Sequence, residues 1–145
     1  MKSKKVITGS EQETFELGRQ AAKTCSGGEV YLVCGDLGAG KTKFTQGLAA
    51  GLGVRGRVNS PTFNILKMYQ ARGQVKTLCH IDAYRLNSGE DLEALGVGEF
   101  FLSRNTVTVV EWADRVKKIW PPKARIVNFH VLSVDKREIT FFENP

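Results

Sequence analysis

Residues 31–53 read YLVCGDLGAGKTKFTQGLAAGLG, with glycine at 35, 38, 40, 47, 51 and 53 inside a unit that opens like a buried strand and closes like a helix. Gly35, Gly40, Lys41 and Thr42 satisfy the P-loop pattern G-x-x-x-x-G-K-[ST], and they do so in the strand-to-helix context that gives the pattern its meaning. At average residue usage a chance match to the four fixed positions occurs in about one chain of this size in 200. Glycine lets the backbone curl so that successive N–H groups point inward at phosphate oxygens, and it leaves room for the ligand to approach. The helix N-terminus then adds partial positive charge, Lys41 reaches the β- and γ-phosphates, and the Thr42 hydroxyl meets the magnesium between them. Nucleotide binding is the expectation, with Mg2+ bridging the phosphates.

Working outward, the order of elements is a mixed α/β alternation. Ser10 and Glu13 form a capping box at the start of a helix over about 11–24, with Phe15, Leu17, Ala21 and Ala22 near one face. EVYLVC reads as a strand buried on both faces. Phe44, Leu48 and Leu52 recur every fourth residue in the helix after the loop, and Gly53 stops it. NILKMY and VKTLCHID read as strands around a turn at Gly73, and SGEDLEALG as a short helix capped by Ser88. NTVTVVEW is a further strand, and the prolines at 121 and 122 precede two more, ARIVNFHVL and REITFFE. The expected fold class is α/β, one domain over residues 1–145 with a mixed central sheet flanked by helices.

Composition narrows the setting. The chain has 145 residues, 41% of them hydrophobic, enough for one core and one site. MKSKK has the basic character of a leader start, but the sequence turns polar within three residues of Val6, and no apolar run approaches the roughly 20 residues of a bilayer span. A cytoplasmic protein without membrane contact is expected. Cys25, Cys34 and Cys79 lack a Cys-x-x-Cys pair, and neither His80 nor His130 stands at metal-ligand spacing from them, so all three read as reduced thiols. The formal charge of +6 favours an acidic ligand, nucleic acid or an acidic protein face. Aromatic residues do not interleave with the basic clusters along the sequence, which makes direct RNA contact the weaker reading.

Hydrolysis needs more than a P-loop: a carboxylate near the metal and a group that orients water. Asp82 ends TLCHID and Glu111 ends VTVVE, both where parallel strands present ligands at their carboxyl edge. Either carboxylate suits the metal, leaving the other to polarise water. Ser60 and Thr62 flank Pro61 in NSPTF, a stiff turn whose hydroxyls are placed to sense a γ-phosphate or simply to cap a turn.

Read in order, GDLGAGKT, NSPTF, HIDAYRL, DLEALGVGEFF and VEWADR resemble the TsaE family, also called YjeE, over residues 10–121 or so. The resemblance implies a P-loop NTPase-like fold and a small ATPase, weakly active alone, that acts with the TsaD–TsaB pair in making threonylcarbamoyladenosine in tRNA. It implies that TsaC supplies the adenylate, that TsaD transfers the group, and that ATP hydrolysis here resets the complex, with tRNA met through the assembly. By the same resemblance Asp36, Leu37, Gly38, Ala39, Gly40, Lys41 and Thr42 cradle the phosphates. Thr42 and Glu111 hold magnesium, Asp82 is the second acid near the γ-phosphate, and Lys41, Asp82 and Glu111 form the catalytic set. Thr62, with Ser60, falls in a switch-like segment, Tyr84 and Arg85 in the YR motif, and Trp112 in the EW motif. Ser10 and Glu11 lie where the family approaches the base. Lys43 departs from the small hydroxyl residue common at its position. Trp112 also reads as a core aromatic, Tyr84 as a packing residue, and Arg85 as a partner for a nearby carboxylate. Nothing functional is read into the chain after Pro122.

Two other functions fit a P-loop. A small kinase needs an acceptor pocket and a lid from the about 90 residues after Gly53. An ATP-gated binding module would order the Thr62 segment with negligible turnover. A GTPase is disfavoured, because the chain has no Asn-Lys-x-Asp element.

Overall fold

The computed structural model describes residues 3–61 and 64–145; Thr62, one of the switch candidates, lies outside them. The chain builds β1 (Lys4–Thr8), α1 (Glu11–Ala22), β2 (Val30–Cys34), α2 (Lys41–Gly51), β3 (Leu66–Gln70), β4 (Thr77–Asp82), α3 (Gly89–Glu93), α4 (Val97–Leu102), β5 (Thr106–Glu111), β6 (Arg125–Val131) and β7 (Arg137–Glu143). A 3₁₀ segment, Ala113–Ile119, follows β5 and is interrupted at Val116. Seven strands form one sheet in the order β1-β7-β6-β2-β5-β4-β3. β6, β2, β5 and β4 run parallel at its centre, and β3 and β7 pair antiparallel at the flanks. The mixed sheet flanked by helices is as expected.

β2 and β5 are buried along their whole length, as β-branched strands covered on both faces must be. Successive residues feed opposite cores. Tyr31 and Val33 pack with Phe44, Leu48, Val109 and Phe129 beneath α1 and α2. Leu32 and Cys34 pack with Ile81, Leu92, Val97, Val110 and Val116 on the other face. Among the described residues, no helix is long and apolar enough to cross a membrane. All three cysteines are unpaired, and burial pushes the Cys34 and Cys79 thiols up to about 12.

Several details differ from the sequence reading. β1, α4 and the 3₁₀ segment were not foreseen. The residues that α1 buries are Thr14, Gly18 and Ala22, with Phe15, Leu17 and Ala21 only partly covered. Small residues win there because the two helices touch backbone to backbone: a Cβ on Gly18 would overlap the Phe44 carbonyl oxygen, and one on Gly47 the Phe15 carbonyl oxygen. Gly47 therefore serves helix packing rather than phosphate binding. The Ser10 hydroxyl caps α1 by accepting from Glu13 N–H at 3.1 Å, while the Glu13 carboxylate takes the Gly9 N–H at 2.8 Å, one residue earlier than the usual capping box. Ser88 stands at the N-cap of α3 without a side-chain cap bond; instead Asp91 Oδ2 accepts from Asn87 N–H at 3.2 Å.

Candidate active site

The phosphate loop leaves β2 at Gly35 and enters α2 at Lys41. Gly35 (φ 146°) and Gly40 (φ 100°) both take backbone conformations that side chains resist. A Cβ at Gly35 would also stand 2.8 Å from the Phe129 side chain of β6, so the turn is fixed from below. No side chain caps α2, which leaves the N–H groups of its first turn facing the loop's concavity, an arrangement that suits an anion.

Lys41 is 5% exposed, and its Nζ donates to the carbonyls of Gly35 (2.7 Å) and Asp36 (2.6 Å). Its ammonium also stands 4.0 Å from the centroid of the Trp112 ring. Burial pulls the Lys41 pKa down, and the Glu111, Asp114, Asp36 and Asp82 carboxylates oppose that shift. Trp112 itself adopts a left-handed backbone (φ 58°, ψ 37°), rare for a bulky residue and a frequent mark of functional sites. Tyr84 packs on Trp112 at 4.8 Å between centroids, and the Arg115 guanidinium lies over both rings at 5.0 and 5.6 Å. Trp112 is only partly buried: it packs against the core that holds Ile81, Ala113 and Val116, and it also lines the cleft.

The parallel register sets Asp82 beside Glu111 at the ends of β4 and β5. Thr42 Oγ1 donates to Glu111 Oε1 at 2.9 Å and, its hydrogen thus used, accepts from the Ser60 hydroxyl at 2.8 Å. Glu111 Oε2 contacts Nε2 of His80, a residue that is wholly buried. Asp82 Oδ1 accepts from Tyr84 N–H at 2.9 Å; burial first, then the neighbouring Glu111 charge, raises its carboxyl above the ordinary range. Hard oxygen donors at one point, a hydroxyl and a carboxylate with a second carboxylate adjacent, suit magnesium, which keeps the rest of its shell for phosphate and water.

These groups line a cleft of about 450 Å3 that takes in Glu11, Leu37, Gly38, Ala39, Gly40, Lys41, Thr42, Ser60, Asp82, Tyr84, Glu111 and Trp112. Ser10 lines an adjoining cavity of about 320 Å3 together with Glu11, Gly38, Gly40, Val134, Asp135 and Arg137. Asp36 contributes its carbonyl to Lys41 and does not line either space, and Arg85 is exposed outside both.

A family model described as threonylcarbamoyl adenosine biosynthesis protein TsaE matches residues 8–139. The chain belongs to the TsaE family. The tRNA threonylcarbamoyladenosine biosynthesis protein TsaE of Bacillus subtilis is 40% identical over 141 residues, which cover 97% of this chain and 86% of that one. The protein of the same name in Treponema pallidum is 38% identical over 134 residues, 92% of this chain and 96% of that one. The crystal structure of Bacillus subtilis YdiB superposes with a TM-score of 0.82 at 34% identity, covering 99% of this chain and 87% of the other. The fold is accordingly that of a P-loop NTPase-like TsaE protein.

The TsaE-type site also contains residues that the sequence reading passed over. His80 shares a strand face with Asp82 two positions away, so strand alternation was a signal for it. Arg137 had no such signal. It lies 99 positions from Gly38 and donates to that residue's carbonyl at 3.1 Å, tying the β6–β7 hairpin to the tip of the phosphate loop.

Proposed function

We propose that the chain is a magnesium-dependent ATPase that acts with the TsaD–TsaB pair in tRNA threonylcarbamoyladenosine synthesis, sustaining repeated turnover of that complex in the cytoplasm. The observation that carries this reading is the convergence of Thr42 Oγ1 and Glu111 Oε1 at the mouth of a loop whose lysine is held by backbone carbonyls. The loop N–H groups and the first turn of α2 would receive the phosphates. Lys41, bonded to Gly35 and Asp36, would exchange those carbonyls for phosphate oxygens. Thr42 would turn its hydrogen away from Glu111, so that both oxygens hold the cation. Magnesium, when bound, supplies charge neutralisation at the β- and γ-phosphates. Asp82 is the group we assign to orienting the attacking water, beside but not bonded to the Thr42–Glu111 pair. Ser10, Glu11 and the hairpin at Val134 and Asp135 would flank the base end. Tyr84, Arg85, Trp112 and the segment of Ser60 and Thr62 are the switch-like parts. tRNA would be met through the complex.

The test is ATP hydrolysis by the purified protein, alone and with a matched TsaB–TsaD pair, with Lys41→Ala as control. Strong stimulation that Lys41→Ala abolishes is the expected result. Unstimulated turnover with ATP binding intact would instead favour the gated binding module.

A further inference from the structure

We propose that His80 is a positioning residue for Glu111, holding one carboxylate oxygen so that the other is presented to the metal; this rests on the magnesium–nucleotide reading of the site. The imidazole sits on β4 with no exposed surface, on the sheet face that carries Leu78, Val107 and Val109. An apolar side chain would fill such a place without desolvating a polar ring. His80 Nδ1 is indeed buried without a hydrogen-bond partner among the described residues, which costs desolvation free energy. What the ring does is contact Glu111 Oε2 through Nε2. Of the two neutral tautomers, the one with hydrogen on Nδ1 would bury an unpaired donor and turn a lone pair toward a carboxylate. The Nε2–H form makes the contact, so His80 donates to Glu111.

Glu111 is therefore held at both oxygens, by a buried ring on one side and by Thr42 Oγ1 at 2.9 Å on the other. The two holds differ in kind. The Thr42 hydroxyl belongs to the phosphate loop and is itself a ligand, so its bond to Oε1 is given up when the site loads. The His80 bond lies behind the carboxylate, in the core, and persists. Glu111 thus keeps its orientation as the site fills and offers Oε1 alone. Outer partners of this kind typically change metal affinity by about 10- to 100-fold.

The experiment is calorimetric ADP binding with and without Mg2+ to the wild type, His80→Leu and His80→Gln, with thermal melting as the check on folding. Gln can place an amide N–H near the position of Nε2. His80→Leu should lose about 10- to 100-fold of the affinity gained on adding Mg2+, with metal-free ADP affinity close to that of the wild type, and His80→Gln should recover most of the loss. If His80→Leu does not fold, His80→Phe, closer in shape to the imidazole, takes its place. An unchanged magnesium gain in the apolar variant would overturn the positioning role alone. So would an equal fall in metal-free affinity, or a folded Gln variant no better than Leu. If the wild type shows no magnesium gain, the magnesium reading itself fails and the inference falls with it.

Discussion

Two cavities at opposite ends of the sheet show what marks a site in this fold. The larger, about 530 Å3, opens at the amino ends of β2 and β6 and is lined by Leu17, Ala21, Tyr31, Arg125 and Phe141 among others. Its central cation, the half-buried Arg125, already has partners: it donates to Thr24 Oγ1 and to Tyr31 Oη, each at 2.7 Å. The smaller, about 450 Å3, opens at the carboxyl ends of β2, β4 and β5. There Lys41, Asp82, Glu111, Thr42, Ser60 and an uncapped helix start converge, with Lys41 resting on loop carbonyls and Thr42 joining Ser60 to Glu111 through contacts that a ligand can replace. Volume does not separate the two spaces; replaceable polar contacts do.

The sharpest way to break this comparison is to remove the central cation of each cavity in turn. Lys41→Ala should weaken ATP binding by about 1.5–3 kcal/mol, roughly ten- to 150-fold, as read by calorimetry. Equal affinity in that variant would remove the distinction between the two ends. Next, Gly47→Ala drives a methyl group against the Phe15 carbonyl, in the helix pair of which α1 lines both cavities and α2 the smaller one. Overpacking of this kind costs about 1–3 kcal/mol, visible as a lower melting temperature, and a melting point equal to wild type would mean that the helices separate freely.

Arg125→Ala should lower stability by about 1 kcal/mol through its lost hydrogen bonds, with ATP affinity kept within about twofold because the site is remote. A large loss of ATP affinity there would join the two cavities into one functional unit. The smallest effect belongs to Arg137→Ala, which frees the Gly38 carbonyl from the hairpin and should reduce ATP affinity by roughly 0.5–1 kcal/mol. Comparing it with Lys41→Ala in the same titration would show whether the hairpin shapes the loop or merely lies beside it.

Much of this site was legible before the structure, for a local reason. A phosphate loop is built from consecutive residues, so its spacing survives in the letters, and the strand ends that carry Asp82 and Glu111 are readable from β-branched runs. β1 was not legible: Lys4, Lys5 and Ile7 are exposed, and the strand exists because it pairs with β7 and Lys5 meets Glu138 at 2.8 Å. Ser88 was read correctly as the N-cap position of α3, but a capping letter does not guarantee a capping bond, and its side chain makes none. On α1, Leu17 and Ala21 do pack against the core and Ala22 is buried, but the close contact at Gly18 was not legible, because hydrophobicity says little where two helix backbones meet through glycine.

By itself, then, the sequence determined the α/β class, the glycine-rich loop with its lysine between a strand and a helix, and the two acids on neighbouring strands. All of these are encoded by residues close together in the chain or by strand periodicity. Only the tertiary structure decided that His80 stands behind Glu111, that Thr42 shares a hydrogen with that carboxylate, that Lys41 rests on Trp112, and that Arg137 reaches the loop from the far end of the chain. Those contacts depend on strand order and register, which arise from long-range pairing and packing of the whole sheet and leave no spacing rule in the sequence.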